Sequence, residues 1–117
     1  MTGIVGLAHA LSDLTFKVKN RKLNVEDVQD GTFTVNNTGV LGSISSQPII
    51  NSPQAAILTT EAIQKKPIVV GDGIAIRSIM NLCMSFDHRI NDGAESSSFL
   101  QSIKRRIESI NLDTPVY

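Results

Sequence analysis

The densest run of polar and ionisable side chains is Asp87-His88-Arg89-Ile90-Asn91-Asp92-Gly93, set between a strongly apolar stretch and an amphipathic one. Histidine is the side chain suited to take up a proton near neutral pH, which makes His88 a candidate general base. Asp92 is able to orient its neighbours, and Gly93 lets the backbone turn closely. The same residues also fit a structural reading, a strand-end turn whose Asn91 or Asp92 caps a following helix. A second cluster, Asn36-Asn37-Thr38-Gly39, offers side-chain amides that can donate to a developing oxyanion. One such donor is worth about 3–4 kcal/mol in a suitable site. Its alternative is an Asx-type turn closing a strand.

The other candidates carry less chemistry. Cys83 reads as a buried core thiol with no basic neighbour in sequence to activate it. His9 falls on a helix far from any acidic or Cys partner, and the two histidines have no metal-ligand spacing, so no metal is expected. Gly71-Asp72-Gly73 is a turn and not a phosphate loop, because no lysine or helix start follows. Lys104-Arg105-Arg106 reads as a solvated helix face.

The elements that must position these groups follow from periodicity. Ile4, Leu7, Ala8, Leu11, Leu14 and Val18 recur every three or four residues and predict a helix, whose basic end at Lys17 to Lys22 suits the C-terminal dipole. Asn24 to Gln29 predicts one short turn capped by Asn24. Strands are expected at Thr32 to Val35, at Ala55 to Thr60, and on either side of Gly71-Asp72-Gly73 as a hairpin of Pro67 to Val70 with Ile74 to Ile76. Between the first two lies a Gly- and Ser-rich loop through Gly42, Ser43, Ser45 and Ser46, and Pro48 and Pro53 keep the following segment out of mid-sheet. Ile79 to Phe86 is the most apolar strand and is expected to be central. Phe99, Leu100, Ile103, Ile107 and Ile110 predict a closing amphipathic helix from Ala94, followed by a turn-like tail. The fold class is α+β: a mixed, mostly antiparallel sheet with flanking N- and C-terminal helices.

Composition sets the bounds. The chain has 117 residues, with 11 Lys plus Arg against 11 Asp plus Glu. Zero net charge argues against non-specific nucleic-acid binding. A hydrophobic fraction of 41% is too apolar for disorder, yet no apolar run is long enough for a membrane span. The first residues carry His9 and Asp13 and lack a basic n-region, so they do not read as a secretory signal. A lone Cys83 excludes an internal disulfide and fits a reducing, cytoplasmic setting.

Three segments together carry a resemblance: GTFTVNNTGVLGS, PIINSPQAAILTTEAIQKKPIV and MSFDHRINDG. They resemble the catalytic domain of the dihydrolipoamide acyltransferases, the core subunits of the 2-oxo acid dehydrogenase complexes. The match runs in the family's order, and NNTG with the PVY ending looks most like the branched-chain type. It implies a fold similar to chloramphenicol acetyltransferase, with residues 1–117 as the C-terminal half of the domain. It implies acyl transfer between dihydrolipoamide and coenzyme A, so that CoA and the lipoyl group are substrates. By the same resemblance His88 takes the proton of the attacking thiol and Asp92 supports the site. The oxyanion donor, a Ser or Thr in many members, is Asn36 here. Family sites lie between subunits, so His88 and Asn36 are expected to meet across a trimer interface. The expected partners are copies of the chain in a trimer-based core and the other subunits of the complex.

Two further readings compete. One is a truncated, catalytically incompetent core fragment that only self-assembles; the other is an independent CoA-binding or regulatory module.

Overall fold

The computed structural model describes residues 3–116. The chain divides into two compact units, one made of the residues up to Gly31 and from Lys104 onward, the other of Thr32–Ile103.

In the first unit, α1 spans Ile4–Lys19, one residue past the last apolar position of the expected helix. Its end is closed by backbone geometry. Arg21 takes a left-handed conformation with φ of 53°. Its N–H donates to Val18 O at 3.1 Å and that of Lys22 to Lys17 O at 2.8 Å, the paired bonds of a Schellman cap. The short turn comes next, at Val25–Asp27. Asp27 accepts from the backbone N–H of Asn24 at 2.9 Å and from Lys17 Nζ at 2.7 Å, so the helix end and the turn are tied together. The apolar stripe of α1 lacks cover: Leu7, Leu11 and Val18 are exposed, and no residue of the helix is buried. The tail turns at Asn111 to Thr114 as expected and returns so that Val116 O accepts the Val5 N–H of α1 at 3.1 Å. Tyr117, which completes the PVY ending, lies outside the described residues, as do Met1 and Thr2.

The second unit holds two sheets rather than one. Strands β1 (Thr34–Asn37), β2 (Ala56–Thr60) and β5 (Leu82–Phe86) form the first, in the order β1-β2-β5. β1 runs parallel to β2, and β5 antiparallel to it. The second sheet is the expected hairpin, lengthened to β3 (Gln64–Val70) and β4 (Gly73–Ile79). Gly71 turns it with φ of 60°. Pro67 pairs within β3, which a two-stranded ribbon tolerates because each strand has an open edge.

Two expectations fail here. β1 is shifted to Thr34–Asn37, taking Asn36 and Asn37 into the strand, because pairing with Thr59 and Thr60 of β2 outweighs the turn preference of asparagine. β5 is an edge strand and half-buried throughout, while the centre is β2, which supplies the buried apolar residues Ala56, Ile57 and Leu58. A run apolar on both faces looks alike whether the cover comes from flanking strands or from a helix and a loop. Ile79 and Met80 also fall outside β5: Ile79 ends β4, and Met80 lies in the link.

α2 spans Gly93–Glu108, so Ile110 lies beyond it, and Lys104, Arg105 and Arg106 are exposed as expected. Within the second unit its first turns face the sheet, where Phe99 meets Phe33 edge-on at 5.9 Å. No helix among the described residues is long and apolar enough to cross a membrane.

Candidate active site

β5 ends at Phe86, and the chain turns at once through Asp87 to Asn91. Two acids at the ends of this turn hold it. Asp87 donates its N–H to Ala55 O at 2.8 Å, which extends the sheet, and its own carbonyl accepts from Ile90 and Asn91. Its carboxylate accepts from the backbone N–H of Arg89 at 2.9 Å and grips the guanidinium through Nε and Nη2, the latter at 2.7 Å. This bidentate grip holds the Asp87 carboxyl down at about 2 and pushes the Arg89 guanidinium up. At the other end Asp92 Oδ1 accepts the Glu95 N–H at 2.9 Å, the bond of a helix N-cap.

Between these anchors stands His88. It is exposed, and its ring leans on Phe86 at 5.4 Å between centroids. Its imidazole makes no hydrogen bond to another described residue, and Asp92 is engaged with α2. Both nitrogens are therefore without a hydrogen-bond partner among the described residues. An open hollow beside it is lined by Ile50, Ser52, Pro53 and Phe86 together with the turn. The other side of Phe86 borders an apolar cavity of about 280 Å³, between the sheet and α2, lined also by Ala56, Met84 and Phe99.

Asn36 stands elsewhere. It lies on β1, exposed, and its side-chain amide makes no hydrogen bond to another described residue; its backbone is held in the β1–β2 pairing, and its carbonyl accepts from Thr60 Oγ1. Register places Asn36 level with Thr59 and Cys83, and Phe86 level with Ala56. Asn36 is thus three residues along and two strands across from Phe86, about 10 Å in each direction. The chain does not bring His88 and Asn36 together. The expected Asx turn is present one residue on, where Gly39 N–H donates to Asn37 Oδ1 at 3.0 Å.

Two groups of consequence escape a reading of the sequence. The Asp87–Arg89 clamp has a signal in the spacing of opposite charges at a strand end. Glu61 has none: it is 2% exposed, and its partners Thr38 and Ser46 lie far away along the chain. Cys83, expected in the core, is half-buried, with its thiol 4.0 Å from Ser45 Oγ. Among the described residues no group of three or more His, Cys, Asp or Glu is placed to hold a metal ion.

Fold and turn together define an α+β domain that mounts an acid–base group at the edge of a mixed sheet. The family of 2-oxoacid dehydrogenases acyltransferases (catalytic domain) matches residues 1–113, and the chain belongs to it. It is 50% identical to the lipoamide acyltransferase component of the branched-chain alpha-keto acid dehydrogenase complex of Bacillus subtilis, over 97% of this chain and 27% of that protein. The chain thus spans about a quarter of the length of that relative. Among solved structures, a probable dihydrolipoamide acetyltransferase from Listeria monocytogenes matches with a TM-score of 0.95 and 49% identity, over 98% of this chain and 50% of that one. The dihydrolipoamide acetyltransferase of Azotobacter vinelandii, in whose catalytic mechanism a serine, a histidine and an asparagine have been investigated, matches with a TM-score of 0.79. It is 31% identical over 83% of this chain and 40% of that one.

Proposed function

We propose that the chain carries the histidine and oxyanion-donor parts of a dihydrolipoamide acyltransferase site, in the C-terminal half of a catalytic domain. The observation that carries this reading is the pairing of two unengaged polar groups at opposite corners of one sheet: the imidazole of His88 and the amide of Asn36. Neither serves the fold, and each lacks what the other has. Symmetry between copies supplies the missing half, since the edge of one subunit meets the other edge of its neighbour in a closed ring.

In the reaction His88 takes the proton of the attacking thiol, either of CoA or of dihydrolipoamide. The thiolate attacks the thioester carbonyl, and the Asn36 amide of the neighbouring copy donates to the resulting oxyanion. Collapse expels the second sulfur, which recovers the proton from His88. Asp87, Arg89 and Asp92 keep the turn in place. The Azotobacter relative, with its histidine and two polar side chains, supports this assignment. The Bacillus relative supports a branched-chain acyl group, and its place in a complex supports a trimer-based core with the other subunits as partners. The single free thiol, Cys83, supports a reducing, cytosolic setting.

The test is acyl transfer from acyl-CoA to dihydrolipoamide by the native chain, by His88→Ala and by Asn36→Ala, with oligomeric state measured in parallel. Each variant alone is expected to be inactive. A 1:1 mixture, reassembled, is expected to regain about a quarter of native activity, because random subunit exchange pairs an intact His88 with an intact Asn36 at that frequency. Mixtures that stay inactive argue against an intersubunit site. A native chain that assembles without turnover supports assembly alone, a reading that the uncovered apolar stripe of α1 also favours.

A further inference from the structure

Glu61 follows β2 directly and is almost completely buried, at 2% exposure. A buried carboxylate is costly unless charge or hydrogen bonds compensate it. No cation does so: the ion pairs among the described residues join other groups. Its compensation comes from neutral donors. Ser46 Oγ donates to Oε1, and Thr38 Oγ1 donates to Oε2 at 2.9 Å. The neighbouring Ser43 hydroxyl and Cys83 thiol also favour its charged form. These bonds, that from Ser46 foremost, hold the Glu61 carboxyl below the usual carboxylate range despite burial.

An ionised carboxylate only accepts, so it turns every neighbouring hydroxyl hydrogen inward and fixes each rotor. Three segments are joined in this way: the turn after β1, the loop from Gly42, and the end of β2. The backbone adds to the joint. Thr38 N–H donates to Thr60 O at 3.1 Å and Ala62 N–H to Ser43 O at 2.7 Å. Gly39 lies so close that a Cβ there would stand 2.5 Å from the carbonyl carbon of Glu61. The segment Asn36–Gly39 therefore has the β1–β2 ladder at one end and a buried anchor at the other.

We propose that Glu61 is a positioning residue for the oxyanion donor: through Thr38 and Gly39 it sets where the Asn36 amide stands. This rests on the acyl-transfer reading above. A side chain serving only to fill this space would be apolar, because well-packed hydrophobic groups match or exceed a buried charge in stability.

The experiment uses the assembled full chain. Glu61→Ala is expected to lower kcat about 10- to 100-fold, less than outright loss of an oxyanion donor, with KM for CoA changed less than about 3-fold. Amide exchange at Thr38 and Gly39 should accelerate at least about 10-fold, while Leu58 and Met84 keep their protection. Glu61→Gln retains one acceptor and offers donors that hydroxyls can accept, so it should restore kcat to within a few-fold of native. If Glu61→Ala does not fold, Thr38→Val, which cuts one donor and leaves that of Ser46, carries the same expectation at smaller size. A native chain without His88-dependent turnover overturns the site reading and this inference with it. A native chain that turns over while folded Glu61→Ala or Thr38→Val keeps full kcat overturns this inference alone. So does a kcat loss accompanied by faster exchange throughout the sheet.

Discussion

The turn at 87–93 and the cluster around Glu61 are two polar constructions at the same sheet, built in opposite ways. The turn is local and open. Asp87 finds Arg89 two residues on, Asp92 finds Glu95 three residues on, and Arg89 remains 89% exposed. The cluster is distributed and closed. Glu61 reaches Thr38 across 23 positions and Ser46 across 15, out of contact with water. A local turn can present a reactive side chain to a ligand, but it cannot say where a second chain segment stands. A buried, non-local anchor can. On the reading proposed above, chemistry is mounted on the first region and alignment is held by the second.

The sharpest break in this comparison is His88→Ala. It removes an imidazole that makes no hydrogen bond to another described residue, so turnover should fall about 10²- to 10⁴-fold, the usual contribution of a general acid–base group. Thermal midpoint should be unchanged, because the imidazole makes no hydrogen bond and only leans on Phe86. Calorimetry beside the acyl-transfer assay checks both halves. A large loss of stability would mean that His88 belongs to the architecture.

Gly39→Ala probes the closed region. The added methyl meets Glu61 C and O at 2.5 Å and Ala62 N at 2.7 Å, all backbone atoms that cannot swing aside. We expect a loss of about 2–3 kcal/mol in urea unfolding, at the upper range for an overpacked site. Turnover in the folded fraction should also fall, since the clash pushes the Asn36 segment off its anchor. Unchanged stability would show that the anchor yields.

The same division decides what was legible in the sequence. The turn, its helix cap and the candidate base could be read directly, because the side-chain bonds that shape the turn lie within a few residues. The hairpin and both helices were legible for the same reason. The register of β1 was not, because the ladder to Thr59 and Thr60 is a non-local reward that local asparagine preference cannot show. Nor was the central place of β2, whose two threonines made it look less apolar than β5. Glu61 had no local signal at all: a lone acid after a strand normally reads as solvated, and its donors Thr38 and Ser46 come from two other segments. Only the resemblance, not periodicity or spacing, linked His88 with Asn36.

Asp92→Ala is expected to have a smaller effect. It deletes the acceptor for the Glu95 N–H at the start of α2 and should cost about 1 kcal/mol, the usual value of an N-cap. Asp92→Asn, which still caps, should restore most of it. If Asp92 also orients His88 in the assembled protein, Asn at this position will recover stability without recovering kcat. That split separates a capping role from a catalytic one.

The smallest effect belongs to Arg89→Ala, and its pH dependence is what identifies it. In the folded chain the Asp87 carboxyl is held at about 2, below its ordinary 3.8, by the Arg89 guanidinium. A depressed carboxyl pKa stabilises the folded state fully above the unfolded value and is lost as pH falls through the folded one. The contribution should therefore be constant above about pH 5, decline between about pH 4 and pH 2, and vanish below. Because Arg89 is largely exposed, water and salt screen the pair, and the difference in urea midpoint between native and Arg89→Ala should be small and shrink further in about 1 M salt. A difference that persists at pH 1.5 would show that the guanidinium acts through packing of its stem, and the turn would then resemble the closed region more than its exposure suggests.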